Sequence, residues 1–367
     1  MNKHLLKTGL YSLLLAFPVL CACGQSPEGR VAVGAIRWDA WYDGASDINR
    51  AVQQSLSPKP WQWRLPFFAT VATNGAVAIA GDTDEVMARE IHYARTAGLD
   101  YWAFCAYDDG SSMSRALHRY LKHPARDQVH FCLIADVNHW PPEKCDSEAS
   151  RFADLMKLPN YQTVLQSRPL IYILNLAIES NARAWAPAGG FQKAITALRD
   201  AAHARAVANP YCVVMVPWPD KAGTFAVAAG CDAISAYAVQ AGGRAAPYAE
   251  LTAYVEDFWQ RSLDTGAKVV PLAMTGWDRR PRVDTPVFWE HNEGWNADCE
   301  RYYLQPKPQE IAGHIRKAVD WTRTHPAAVE AQTVIIYAWN EHDEGGWLCP
   351  TLGEGDARIQ AMTKALR

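Results

Sequence analysis

Eight short apolar runs recur along the chain, and stretches of helical period separate most of them. The runs are Val31–Trp38, Tyr101–Ala106, Val129–Ala135, Leu170–Asn175, Cys212–Pro217, Cys231–Tyr237, Lys268–Met274 and Thr333–Trp339. Their length and apolar character suit buried strands. Between the first two, Val86, Met87, Ile91 and Ala94 mark one face of a helix over Asp84–Ala97, and Gly98 closes it. Phe191–Val207, Tyr248–Leu263, Ile311–Thr324 and Ala357–Leu366 follow the same logic, and Ser114–Leu121, Glu148–Lys157 and Lys221–Ala229 are shorter helical patterns. Eight alternations of this kind are most simply an α/β fold of the (β/α)8 TIM barrel type. A doubly wound open sheet would offer no reason for eight repeats. No Pro- or Ser-rich linker divides the chain, so residues 24–367 read as a single domain.

Residues 1–23 read as a leader. Lys3, His4 and Lys7 give a basic start, and Leu13–Phe17 is an apolar core too short to span a bilayer. Leu20-Cys21-Ala22-Cys23 resembles a bacterial lipobox, with Cys23 as the lipid acceptor and Cys21 at an unusual middle position. An ordinary signal peptide cut nearby is the alternative. Either reading implies export, and Gly24 after the cysteine points to the outer membrane by resemblance to bacterial sorting rules. The net charge of −3 leaves no nucleic-acid footprint. Cys105, Cys132, Cys212 and Cys231 read as small packed hydrophobes. Cys145, Cys299 and Cys349 read as loop residues, where an oxidising compartment permits a disulfide.

On a barrel of this type the strand C-termini carry the site. They deliver Trp38, Asp39, Trp41, Tyr42 and Asp43 from the first strand, Tyr107 and Asp108 from the second, and His139 from the third. Asn175, Trp218 and Tyr237 follow from the next three strands, and Trp277 and Asp278 from the seventh. The eighth ends in Trp339-Asn340-Glu341-His342-Asp343-Glu344-Gly345-Gly346-Trp347. Aromatic rings suit stacking on sugars, and two carboxylates suit general acid and base work. A helical turn after the eighth strand would put Glu341 and Glu344 roughly 5–6 Å apart at Cβ. That is the close spacing of a retaining rather than an inverting glycosidase, and one of the two pKa values should rise. His342, Asp343 and Glu344 are possible metal donors, but adjacent ligands rarely complete a site. The expected site is therefore metal-free and needs no cofactor. The loops over Asp39–Asp82 and Gly276–Pro308 are long enough to be functional. Asp43, Asp108 and Asp278 suit either helix caps or sugar hydroxyls.

Trp339-Asn340-Glu341-x-x-Glu344-Gly345 resembles the W-N-E-W-x-E-G signature of glycoside hydrolase family 99 and its neighbours, including family 71. Ala94-Arg95-Thr96-Ala97-Gly98-Leu99-Asp100-Tyr101-Trp102 and the opening Trp41-Tyr42 are similar to further segments of those families. The resemblance implies a (β/α)8 barrel that cleaves α-mannosidic bonds with retention. It implies that Glu341 acts as base on the substrate's own 2-hydroxyl and that Glu344 protonates the leaving oxygen. His342 stands where the family has Trp, Asp343 is an added acid, and Gly346-Trp347-Leu348-Cys349-Pro350 replaces the usual continuation. Mannose specificity is therefore not carried over. The expectation is a retaining glycoside hydrolase acting on an α-linked glycan. An envelope glycosyl-transferring barrel and a non-catalytic glycan-binding lipoprotein are its rivals.

Overall fold

The computed structural model describes residues 30–242, 244–290 and 301–366. The leader with Cys21 and Cys23, and also His291 and Cys299, lie outside the described residues. All eight expected strands form: β1 (Ala32–Arg37), β2 (Tyr101–Ala106), β3 (His130–Asp136), β4 (Arg168–Leu174), β5 (Tyr211–Met215), β6 (Ala233–Ser235), β7 (in two pieces, Lys268–Val269 and Leu272–Met274) and β8 (Thr333–Tyr337). From β1 to β6 each strand pairs in parallel with the next. The first piece of β7 pairs with β6 and the second with β8. The break falls at Pro271, whose ring nitrogen cannot donate to a ladder, although its carbonyl still accepts from Ile335 N at 3.0 Å. β8 then pairs with β1 from Ala32↔Thr333 to Ala35↔Ile336, and the ring closes. The molecule is a TIM barrel.

The outer layer is α1 (Asp84–Ala97), α2 (Arg115–Lys122), α3 (Cys145–Leu155), α4 (Phe191–His203), α5 (Pro219–Ala229), α6 (Tyr248–Asp264), α7 (Pro308–Thr324) and α8 (Ala357–Leu366). Local chemistry sets their ends. The Thr83 hydroxyl accepts from Val86 N at the start of α1, and Gly98 closes it with φ 88°. α4 stops short of the expected Val207 because Ala206 turns to φ 56°. Inside the ring the Tyr101 hydroxyl lies 2.8 Å from that of Tyr172 and 3.0 Å from Thr333 Oγ1. Gly34 in β1 makes room for it, since a Cβ there would collide with the Tyr101 ring.

The loop after β1 folds into a helix (Asp47–Leu56), a 3-10 turn (Lys59–Arg64) and a hairpin (Ala69–Val71 with Val77–Ile79). Trp41, Val52, Leu56, Trp61, Leu65 and Ile79 give it an apolar cluster of its own. The expected loop position of Cys145 is corrected, since it begins α3; Cys349 lies in a loop as expected, and both are buried and free. No described helix is long and apolar enough to cross a membrane.

Candidate active site

Past β8 the chain forms a tight two-stranded ribbon, Asn340–Glu341 against Gly346–Trp347, rather than the expected helical turn. Glu344 N donates to Glu341 O at 3.2 Å, so the two acids flank one turn. Backbone geometry brings the loop after β7 down onto it. Asp278 N donates to Glu344 O at 2.7 Å. Gly345 takes φ 86°, and a Cβ at Gly276 or Gly345 would collide with the facing backbone. The glycines at the ribbon's turn and after β7 are thus a condition of the loops' close approach.

The two carboxylates have unlike surroundings. Glu341 is almost fully buried; Tyr237 Oη donates to its Oε1 at 2.6 Å, and its Oε2 has no hydrogen-bond partner among the described residues. Burial pushes its carboxyl well above the usual carboxylate range, and the charge of Glu344 pushes the same way. Glu344 keeps more exposure and is ringed by donors. Arg282 Nη1 and Tyr337 Oη donate to it, and Arg279 Nε lies at 3.4 Å. Burial works against its ionisation, but Arg282, Arg279 and Tyr337 together outweigh burial and hold it below the usual range. One of the pair rises, as the sequence leads one to expect. Burial thus inclines Glu341 rather than Glu344 to hold a proton, whereas the resemblance implies Glu344 as the acid.

Arg282, on a short helix after β7 (Arg280–Asp284), organises this cluster. Its Nε donates to Asp343 Oδ2 at 2.7 Å, its Nη2 to Asp343 Oδ1 at 3.2 Å, and its Nη1 to Glu290 Oε1 at 2.7 Å. Its Nη2 lies 3.8 Å from Glu341 Oε2. Burial disfavours its charge, yet Asp343, Glu344 and Glu341 raise its pKa well above the ordinary value. Sequence reasoning missed Arg279, Arg282, Glu290 and Tyr337. The run Arg279-Arg280-Pro281-Arg282 was the available signal for the arginines.

Around the carboxylates stand half-buried rings. Trp38 Nε1 donates to Tyr107 Oη at 2.7 Å, and Tyr107 lies 4.7 Å from His139 between ring centroids. Tyr237 and Trp277 each lie 5.7 Å from Tyr337, and Trp38 lies 5.8 Å from Trp289. Tyr107, His139, Tyr237 and Trp277 all keep part of their surface exposed.

Other expected site residues are buried or held in ion pairs. Trp41 meets the His342 ring edge-on at 4.7 Å between centroids and Trp347 stacks on it at 5.5 Å, and all three are buried. Burial lowers His342 to about 3, so it is neutral. Tyr42 is sunk in a network in which it and Arg37 both donate to Glu90. Asn340 accepts from Trp38 N at 2.9 Å and donates to Asp39 Oδ1 at 3.2 Å, clasping the end of β1 to that of β8. Asp278 is fully buried between Arg64 and Arg280. Asp43 and Asp108 tie loops to Arg115 and Lys144. Among the described residues no cluster of His, Cys, Asp and Glu has the arrangement of a metal site.

No protein-family model matches the chain, and no curated protein matches it in sequence. Solved structures do match it along nearly its whole length. One described as a glycoside hydrolase-like protein superposes with a TM-score of 0.58 at 14% identity, covering 92% of this chain and 94% of its own. The family 99 endo-α-mannosidase from Bacteroides thetaiotaomicron, in complex with bis-tris-propane, gives 0.59 at 11% identity, covering 91% and 96%. A second structure of that enzyme gives 0.54 at 12%, covering 91% and 95%. At such identities the likeness establishes the shared barrel.

Proposed function

We propose that this chain is an exported, lipid-anchored glycoside hydrolase that cleaves an α-linked glycan with retention through Glu341 and Glu344. The observation that carries this reading is the unlike pair. Glu341 is buried and inclined to hold a proton, with one oxygen unpartnered among the described residues. Glu344 is held ionised beside the same guanidinium. Half-buried aromatic rings surround both, and solved barrels described as glycoside hydrolases share the fold. In the first step the glycosidic C–O bond breaks. The proton of Glu341 goes to the departing oxygen, and the carboxylate of Glu344 takes the anomeric carbon. Water then cleaves the glycosyl ester and returns a proton to Glu341. The order implied by the family resemblance exchanges the roles, with the 2-hydroxyl attacking.

The test compares Glu341→Gln and Glu344→Gln on an α-linked oligosaccharide and on an aryl glycoside with a good leaving group. On the proposed order Glu341→Gln loses roughly 10²–10⁴-fold on the oligosaccharide and far less on the aryl glycoside, whereas Glu344→Gln is slow on both. The exchanged pattern would assign the roles as the resemblance has them. A 2-deoxy-2-fluoro glycoside should leave an adduct on Glu344, read by mass spectrometry, and no adduct forms if the 2-hydroxyl attacks. NMR of the first-formed product should show the retained anomer. Full activity in both variants would end the carboxylate-pair reading, and binding without hydrolysis in the unmutated protein would favour the glycan-binding platform, a reading to which the saturated ion pairs of Glu344 lend weight.

A further inference from the structure

Among the large apolar side chains that remain open to solvent, Trp218 stands out, at 54% exposed. It follows β5 on the face that carries the carboxylate pair, and Pro219 at the first position of α5 sets the backbone beside it. Lys221 Nζ lies 4.9 Å over the ring, bracing it in place. The strand ends next to it are polar. In register, Asp136 of β3 pairs with Leu174 of β4, and Leu174 with Met215 of β5. Asn138, Asn175 and Trp218 therefore follow that row by one to three residues on three neighbouring strand ends. Asn138 donates through its backbone N to Asp136 Oδ1 at 2.9 Å and through Nδ2 to Oδ2 at 3.3 Å. Asn181 Nδ2 donates to Asn138 Oδ1 at 2.9 Å and to Asn175 O at 3.0 Å. These bonds hold carboxylate and amide groups in fixed positions at the surface. An open indole on a strand end that neighbours preorganised planar polar groups is the composition that takes a neutral sugar ring, apolar face on the ring and hydroxyls on the amides.

We infer that Trp218, with Asn138 and Asn181, forms a distal sugar subsite across the barrel mouth from Glu341 and Glu344. In the ring order β3–β5 lie on the side opposite β8. A substrate that reaches both sites spans several sugar units and is cut within the chain. This inference rests on the glycan reading of the carboxylate pair, but its test does not need hydrolysis. Ladders of α-linked manno- and gluco-oligosaccharides of two to six units are titrated calorimetrically into the Glu341→Gln protein. Affinity for one ladder should climb with length, then plateau. Adding Trp218→Ala should lower the six-unit affinity about tenfold and flatten the climb. Trp218→Phe should restore most of it, and Val227→Ser, at an exposed position on the same helix, should leave the ladder as it was. A climb that survives Trp218→Ala, an equal loss at every length, or no binding of either ladder would overturn the subsite. Length-dependent binding lost with Trp218 in a protein whose unmutated form cleaves nothing would sustain the subsite and sink the hydrolase reading alone.

Discussion

Glu341 and Glu344 are the same residue type three positions apart, and what each oxygen touches makes them different acids. Glu341 meets a phenol at hydrogen-bond distance and the Arg282 guanidinium only at 3.8 Å; Glu344 meets two guanidiniums and a phenol. The proposed chemistry needs Glu341 protonated, so activity should fall as pH rises through its raised folded pKa. It needs Glu344 ionised, so activity should also fall as pH drops through its lowered one. The profile of kcat/KM should be a broad bell, its acid limb below the usual carboxylate range and its alkaline limb above it. Arg282→Gln should move the acid limb upward by about a unit or more, because a cation beside Glu344 is gone. An acid limb that stays put in that variant would detach Glu344 from the rate. Asp39 makes a second titration visible. Burial raises it to about 7 despite Arg37, with Glu90 adding to the rise. The folded protein then binds a proton that the unfolded chain gives up, so this group withdraws stability as pH climbs from about 4 to about 7. Thermal melts at pH 5 and pH 8 should differ less in Asp39→Asn than in the unmutated protein.

At the level of elements, the site exists because two loops are fastened together. The short helix Arg280–Asp284 sends Arg282 into Asp343 and Glu344, and the 3-10 turn Lys59–Arg64 sends Arg64 into Asp278. Removing one partner from a buried pair leaves a charge without compensation. Arg282→Ala and Arg64→Ala should each cost about 3–5 kcal/mol in denaturant unfolding, with Arg282→Ala also collapsing activity. Gly345→Ala tests the backbone instead. It adds a Cβ where Asp278 presses on the ribbon and φ is 86°. A loss of about 1–3 kcal/mol is expected, together with a lower kcat from a displaced Glu344. Unchanged melting in this variant would mean that the two loops have room to separate.

For the whole molecule, closure of the ring decides where everything else sits. β8 returns beside β1, and Asn340 then accepts from Trp38 N and reaches Asp39. Asn340→Ala should leave a buried N–H unsatisfied at that seam, costing about 1–3 kcal/mol, and should loosen both strand ends that carry the site. The proposed anchor has its own check. Cys23→Ser should abolish lipid labelling and release soluble protein from the membrane fraction. Labelling that persists in Cys23→Ser and disappears in Cys21→Ser would move the acceptor by two residues.

The sequence alone determined the barrel, because its strands are buried on both faces and its helices on one, and burial writes itself into residue order as periodicity. It also placed Glu341, Glu344, Tyr107, His139, Tyr237 and Trp277 at strand ends on one face, since a strand's C-terminus is a local feature. Tertiary structure decided which of those residues are open. Trp41, Tyr42, Asp278, Asn340 and Trp347 look like site residues in the sequence and are buried in the structure, as Glu341 itself is. It set the unlike surroundings of the two acids as well. Arg282 and Glu344 are 62 positions apart and meet only when the loop after β7 folds onto the ribbon after β8. A pKa depends on distances in space, and residue order holds no record of those distances until the ring has closed.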